Sequence, residues 1–276
     1  GEQAFAPALT AAENAIERAG APRSESWIEA QLALSRLEAA RTPSVMAQAD
    51  LDARWTAALP RLLQLTSPLL PVGAYAYSNG LETAIARGWI CDEASATAWI
   101  YGIAEHSLSR VDLPLALRLH AAWQGNNPDV ARSWSSYLLA SRETAELRRE
   151  DLQLGRALWR LLRDLGEVDD RLYLEMQDTA FACAFAYAAV RWKIYARPTV
   201  TGLAFVTVEN WVSALMKLMP LGQTAGQRIL SGWAERAPAL VEYAVRLGDD
   251  DLGSSAPGLA YVSAWHECEY SRLFQS

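Results

Sequence analysis

The chain has 276 residues, of which 51% are hydrophobic and 21% are charged. This composition is typical of a globular protein with a sizeable core, and it argues against intrinsic disorder. The net charge of −7 opposes binding to nucleic acid, and no apolar run reaches the about 18 residues that cross a membrane. The three cysteines form no Cys-x-x-Cys pair, which favours a reducing, cytoplasmic compartment.

Residues 1–57 differ in composition from the rest of the chain. They are rich in Ala, Glu and Gln, and their apolar residues, such as Trp27 and Leu34, recur at helical spacing. The last of the predicted helices in this segment runs from about residue 43 to residue 58. We interpret the segment as a helical extension that packs or dimerises, separate from a domain formed by residues 58–276.

From residue 58 onward, amphipathic segments alternate with short Gly, Pro and Asn breaks, which predicts a succession of helices. Asp92 and Asn127, which precedes a proline, are good helix starts. β-branched residues at 200–208 could form a strand, but no second strand is available to pair with it. We therefore predict an all-α fold, with a single helical domain of about ten helices. The predicted helices lie near residues 81–87, 93–109, 112–124, 128–165 (divided), 169–194, 199–218, 223–235 and 237–247.

The segment LLQLTSPLLPVGAYAYSNGLE, residues 62–82, has the densest combination of turn-forming and aromatic residues. Its Pro and Gly residues predict a turn, and Tyr75 places a large amphipathic ring beside that turn. Ser78 is a candidate cap for the helix that contains Glu82. A tightly packed corner of the core is one interpretation of this segment, and a partner-binding surface is the other.

Opposite charges recur three and four positions apart in residues 142–155, which include Arg142, Glu146 and Arg149. One interpretation is a solvated helix face with internal ion pairs. The other is a polar surface that faces a partner, with arginines available for carboxylates or phosphate.

Lys217 is one of only two lysines, and it lies about one turn before the sequence Pro-Leu-Gly at 220–222. This arrangement predicts two helices that pack across a tight turn. A polar contact with a partner is the alternative.

The sequence ends in an aromatic–Arg–aromatic segment, Tyr270-Ser271-Arg272-Leu273-Phe274. Such a segment suits anchoring in the groove of a partner, and docking on its own domain is the alternative. Apolar burial and the lost chain entropy nearly cancel for a short tail, so a disordered tail in the free chain is compatible with the sequence.

His266 and Cys268 form a His-x-Cys pair just before this tail. Imidazole and thiolate suit nickel, zinc or copper, but two ligands make only half of a site. A two-fold dimer would have to supply the other half. Ordinary packing of the tail is the simpler interpretation.

The sequence contains no motif of a zinc protease, a serine hydrolase or a P-loop nucleotidase. A helical, acidic chain with few cysteines and an aromatic tail indicates an interaction protein rather than a catalyst. A standalone metal-binding protein is disfavoured, because His and Cys are scarce.

These four segments, in this order, resemble the urease accessory protein F family (UreF) over about residues 60–276. The resemblance is carried by the sequences LPVGAYAYSNGLE, RETAELRRE, PLGQTAGQ, DLGSSAP and YSRLF. Residues 1–57 fall outside it. The resemblance therefore gives these residues no role, and their origin can be natural, fused or engineered.

The resemblance implies a homodimeric scaffold without an active site of its own, which acts in maturation of the nickel enzyme urease. It implies a bridge between a UreD- or UreH-type accessory protein, which contacts the urease apoprotein, and a UreG-type GTPase that carries nickel. By the same resemblance, the tail with Tyr270, Arg272, Leu273 and Phe274 binds the first partner. Further candidates for partner contacts are Tyr75, Ser78, Glu82, Arg142, Glu146, Arg148 and Lys217.

The resemblance implies no stably bound cofactor, but nickel in transit makes His266 a candidate contact and Cys268 a weaker one. An alternative function is stimulation of the partner GTPase. An arginine that stabilises phosphoryl charge accelerates hydrolysis by about 10³–10⁵ in known cases. Arg142 and Arg148 are the candidates for that role.

Overall fold

A computed structural model describes residues 45–253 and 256–276. These residues form helices and contain no β-strand, which confirms the predicted all-α fold. A π-helical segment (Ala104–Asp112) joins α3 to α4, and short 3-10 turns lie at Ala74–Ala76 and Asp249–Asp251. The α-helices are α1 (Val45–Leu65), α2 (Leu81–Ala86), α3 (Glu93–Ile103), α4 (Leu113–Gln124), α5 (Pro128–Ala140), α6 (Ala145–Asp164), α7 (Asp170–Met176), α8 (Phe181–Arg191), α9 (Ala196–Leu218), α10 (Gln223–Arg246) and α11 (Pro257–His266).

Helices α4 and α8 lie at the centre of the core. Every side chain of α4 from Leu113 to His120 is buried. Helix α8 is rich in alanine, and its small side chains let it approach both α4 and α6. Trp123, Trp159 and Tyr187 meet between these three helices, with ring centroids 4.8 to 5.9 Å apart.

A buried ion-pair cluster joins four parts of the chain. Arg142, in the connection between α5 and α6, donates to Asp112 at 2.6 Å and to Asp151 at 2.7 Å. Asp112 ends the π-helical segment, and Asp151 also accepts a hydrogen bond from the N–H of Phe181 at the start of α8. Burial lowers the pKa of Arg142, but the two aspartates outweigh burial and hold that pKa well above its ordinary value. Arg142 is therefore a fixed cation inside the fold.

Residues 169–194 form two helices rather than the single predicted one. The chain turns at residues 177–180, and the N–H groups at the start of α8 find side-chain acceptors there. The N–H of Ala180 donates to Ser135 Oγ at 2.7 Å, and Asp151 accepts from the next residue. Because these acceptors are distant in sequence, the local pattern could not indicate the break.

Helix α10 is continuous, although the sequence predicts two helices near 223–235 and 237–247. Pro238 lies on the exposed face, where the carbonyl of residue 234, which loses its helical N–H partner, can bind water. Helix α11 was not predicted. No helix in the described ranges has both the length and the apolar character needed to cross a membrane.

Helix α1 runs through residue 57, the predicted end of the N-terminal extension, and continues to Leu65. Residues 62–65 of the segment 62–82 are therefore helical, and the predicted turns begin only after α1. The helices predicted before residue 45 lie outside the described residues, and the division at residue 57 stays a prediction.

Close packing of α6 leads to a prediction at Gly155. A Cβ atom added there would lie 2.2 Å from the carbonyl oxygen of Thr179, so α6 and the α7–α8 connection would have to separate. We expect Gly155→Ala to lower the free energy of unfolding, measured in urea, by about 1–3 kcal/mol. Gly102→Ala is the matched control, because no atom lies within 4 Å of its added Cβ. Equal effects of the two substitutions would contradict the close approach.

Candidate functional site

The C-terminal residues fold back on their own domain. They lie against residues 62–82, which we name the turn-rich segment, and against the start of α6. We name this region the tail corner; its members are Ser78, Glu82, Glu146, His266, Arg272 and Phe274. Gly80 begins α2 with a φ of 76°, and a Cβ atom there would lie 2.6 Å from Val262. Glycine therefore allows α11 to pack against the start of α2. Of the two interpretations of the tail, the one found in this structure is docking on its own domain.

Glu82 binds the backbone of the tail. Its two carboxylate oxygens accept hydrogen bonds from the N–H groups of Leu273 at 2.7 Å and Phe274 at 2.9 Å. Both bonds are charge-assisted, so they are stronger than bonds between neutral groups. The Phe274 side chain is only 6% exposed. Glu82 thus fixes the last turn of the tail and the ring that it buries.

Ser78 holds the final residue of the chain. It is fully buried, and both its N–H and its hydroxyl donate to the main-chain oxygen of Ser276. Gly80 rather than Ser78 occupies the N-cap position of α2, but the Ser78 hydroxyl accepts a long hydrogen bond, 3.4 Å, from the N–H of Glu82 in the first turn, so part of the predicted capping contact is present.

Glu146 links α6 to the tail. One carboxylate oxygen accepts from Arg272, and the other lies 2.6 Å from Nδ1 of His266. The Glu146 side chain is 3% exposed and His266 is fully buried. Two carboxylates, the buried Glu146 and the partly exposed Glu82, therefore hold the tail through its backbone, its arginine and its histidine.

Lys217 closes the tail corner from the end of α9. Its Nζ donates to the carbonyl oxygen of Tyr75 at 3.3 Å. The same ammonium group lies 5.6 Å from the Tyr75 ring centroid and 5.8 Å from the Phe274 ring centroid, within range of cation–π attraction. The structure thus brings residues from all four sequence segments together.

The two arginines proposed for GTPase stimulation differ in their surroundings. Arg142 lies outside the tail corner. If its side chain moved out to reach a GTPase, the carboxylates of Asp112 and Asp151 would lose their cation. Arg148 is exposed and donates to the carbonyl oxygen of Leu139 at 3.3 Å. The contacts of Arg142 and Glu146 are not the predicted pairs three or four positions apart: Arg142 binds Asp112 and, nine residues along the same segment, Asp151. Glu146 binds His266 and Arg272.

His266 and Cys268 do not form a joint site. Cys268 is exposed, whereas His266 is buried with Nδ1 on Glu146 and Nε2 3.6 Å from Glu82. Within the described ranges, no three His, Cys, Asp or Glu side chains are grouped so that they could hold a metal ion. This geometry favours the interpretation that His266 packs the tail.

Glu150 is a member of this region that the sequence analysis missed. It accepts hydrogen bonds from Asn79 at 2.8 Å and from the hydroxyl of Ser276 at 2.6 Å. Burial raises the pKa of Glu150 to about 7, although these hydrogen bonds and Arg142 lower it in part. Glu150 lies one helical turn after Glu146, which was a usable signal. Its partner Ser276, however, is 126 positions away in the sequence.

A cavity of about 100 Å³ lies beside the buried ion-pair cluster. Its lining includes Tyr77, Asn79, Asp112 and Thr207, so it offers polar partners and room for more than one water molecule. The side chains that line it come from many parts of the domain, including the turn-rich segment, the π-helical segment, α6, α8 and α9. The cavity therefore borders the tail corner from within the domain.

Sequence analysis also missed an aromatic face made by Trp89, Trp99, Tyr261 and Trp265. Trp89 lies 5.9 Å from Trp99 and 5.5 Å from Trp265 between ring centroids, and Trp265 stacks on Tyr261 at 6.1 Å. Three of these side chains are 37% to 60% exposed. On the tail that follows α11, Tyr270 is fully exposed and Leu273 is 69% exposed. This concentration of exposed aromatic surface is typical of a protein interface.

Comparison with known proteins identifies the family of this chain. The sequence model of the UreF family matches residues 90–234. The urease accessory protein UreF of Alkalilimnicola ehrlichii is 43% identical over 216 residues, which cover 78% of this chain and 95% of that protein. The chain belongs to the UreF family. The urease accessory protein UreF of Teredinibacter turnerae is 44% identical, and the match covers 79% of this chain and 98% of that protein. The urease accessory protein UreF of Azoarcus sp. is 46% identical, and the match covers 79% of this chain and 95% of that protein.

Membership of the UreF family confirms the resemblance drawn from the sequence segments. Several of the residues that carry it, among them Ser78, Glu82 and Arg272, meet in the tail corner. The relatives are named urease accessory proteins, which agrees with an accessory rather than a catalytic role.

Glu150 predicts how stability depends on pH. Its pKa rises from 4.5 to about 7 on folding, so the folded state binds this proton more tightly. The stabilisation that this provides is complete below about pH 4.5 and is lost as the pH rises through about 7. Glu150→Gln keeps a neutral side chain, so its free energy of unfolding should fall less over that range. Identical pH slopes for both proteins would contradict this prediction.

Proposed function

We propose that this protein is a homodimeric scaffold in urease maturation, which works in the cytoplasm and bridges two partners. One partner is a UreD- or UreH-type accessory protein, through which the urease apoprotein is contacted. The other is a UreG-type GTPase that carries nickel as the cargo. The family membership and the names of the relatives support the general role, and the tail corner supports the first interface.

The observation that carries this proposal is that the tail is held in one conformation while part of it stays exposed. Arg272 and Phe274 are engaged by the domain itself, whereas Tyr270 and Leu273 face solvent beyond the aromatic face. A surface ordered before binding loses less entropy when its partner arrives. Tyr270 and Leu273 therefore contact the first partner, and Arg272 and Phe274 position them.

The burial of Phe274 on its own domain favours this division of roles over direct anchoring of Phe274 in the partner, which stays a prediction. A ring that is already buried in its own domain gains no further apolar burial from a partner. Tyrosine and tryptophan are common among the residues that dominate interface energies, and the tail with the aromatic face supplies both. His266 acts in this scheme by holding the tail through Glu146.

The first interface is tested by capture of a purified UreD- or UreH-type partner. We expect Tyr270→Ala with Leu273→Ala to weaken capture at least about tenfold, since hot-spot truncations cost about 2 kcal/mol or more. Homodimer formation, measured by light scattering, should persist. Leu174→Ala is the matched control, because Leu174 is 66% exposed on α7, away from the tail.

Hydrogen exchange separates a lost contact from an opened tail. The amides of Leu273 and Phe274 should stay as protected in the Tyr270→Ala, Leu273→Ala protein as in the original. Deletion of residues 271–276 should also abolish capture. Full capture by the double variant would refute the first interface, and a monomer in light scattering would refute the homodimer.

Stimulation of the partner GTPase is a second candidate function, favoured by the exposure of Arg148. Its one hydrogen bond is to a main-chain oxygen, so the side chain can leave that contact at little cost. If Arg148 stabilises phosphoryl charge, Arg148→Ala should reduce GTP turnover in the reconstituted complex by about 10³-fold or more. Arg246→Ala, at the exposed end of α10, is the control. Unchanged turnover would remove Arg148 from this role.

A further inference from the structure

A row of arginines lies along the exposed face of α6. Arg149, Arg156, Arg160 and Arg163 are all exposed, and their spacing places them on one side of the helix. The row extends over about 21 Å at the helical rise per residue. We name it the arginine stripe.

The described surroundings neutralise the arginine stripe only in part. Arg156 pairs with Asp178 at 2.6 Å and Arg163 with Asp164 at 3.3 Å, but these aspartates are 66% and 59% exposed. Exposed pairs of this kind contribute little, so their carboxylates exchange readily for others. In the part of the chain that the structure describes, Arg149 and Arg160 form no ion pair. The stripe is therefore a locally positive surface on a chain whose net charge is −7.

We propose that the arginine stripe is a docking surface for an acidic segment of a protein partner, about 20 Å long. The planar guanidinium group binds carboxylates through two parallel hydrogen bonds, and four such groups in a row match carboxylates on a helix or an extended segment. The acidic remainder of the surface repels such a partner elsewhere and directs it to this face. The arginine stripe shares no residue with the aromatic face or with Tyr270 and Leu273, so it can be tested independently of the first interface.

Nucleic acid fits the arginine stripe less well. Binding of single strands combines basic groups with aromatic side chains on which the bases stack. The residues between the arginines on this side of α6 are Leu152, Gln153 and Ala157, none of which is aromatic. The guanidinium of Arg163 lies 4.5 Å from the ring centroid of Tyr173, but Tyr173 is only 9% exposed and offers little surface on which a base could stack. The net negative charge also repels phosphates over the rest of the surface.

The proposal is tested with the full chain and a fluorescein-labelled, alanine-based peptide of about 20 residues that carries Glu at every fourth position. Fluorescence anisotropy should show binding that weakens at least about tenfold between about 50 and 200 mM salt. The double substitution Arg149→Glu, Arg160→Glu should weaken binding of the peptide at least about tenfold further. The charge-conserving double substitution Arg149→Lys, Arg160→Lys should keep most of the affinity. Unchanged thermal unfolding shows that the variants are folded.

Matched controls make the result specific to the stripe. Arg246→Glu, at the exposed end of α10, makes the same charge change elsewhere and should leave peptide affinity within about twofold. Three results would overturn the proposal: equal loss in Arg246→Glu, equal binding of a peptide with Gln in place of Glu, or absence of binding at low salt. Tighter binding of a labelled single-stranded oligonucleotide through Arg149 and Arg160 would assign the stripe to nucleic acid instead. Substitution of Tyr270 and Leu273 should leave peptide affinity unchanged, which separates this proposal from the first interface.

Discussion

The contact of Arg142 with Asp112 and Asp151 is the interaction on which the rest of the structure depends. It fixes the connection between α5 and α6 against the end of the π-helical segment, and Asp151 at the same time binds the start of α8. Three charged groups that are 6% to 19% exposed are costly to bury, and removing one would leave the others without a partner. The start of α6, with Glu146 on it, therefore has one position relative to the core.

That position determines where the tail can lie. Glu146 reaches His266 and Arg272 only because α6 begins beside α11, and Glu82 meets the backbone of the tail only because α2 begins at a glycine. Arg272 pairs with Glu146, and Lys217 covers the Tyr75 and Phe274 rings from the end of α9. The domain thus has a preformed surface at the tail. The contacts of Arg272 and Phe274 with the domain determine where the exposed side chains of Tyr270 and Leu273 lie.

Sequence patterns predicted the features that depend on neighbours along the chain. Asp92 forms a capping box with Ser95, and Asn127 caps α5 before a proline, as expected at both helix starts. The break between α7 and α8 and the continuity of α10 were missed, since the first depends on remote acceptors and the second on the exposure of Pro238. Within the candidate site, residue types and segments could be predicted because Glu, Arg and aromatic residues are concentrated there. The pairings could not, because they join segments that lie far apart in the sequence, such as Glu82 with Leu273 and Asn79 with Glu150.

The π-helical segment has a consequence for the evolution of this fold. In the π form each N–H bonds five residues back, one more than in an α-helix, so the segment holds an additional residue within a continuous helical rod. Loss of one residue between Ala104 and Asp112 would let the rod return to α-helical geometry, and the residues that follow would keep about the same direction, because the wider turn is what accommodates the additional residue. A one-residue loss in α4, which has no wider turn to absorb it, would instead rotate the later side chains of that helix by about 100°. The π-helical segment is consequently the part of this rod in which a relative could lose one residue and still present a carboxylate to Arg142.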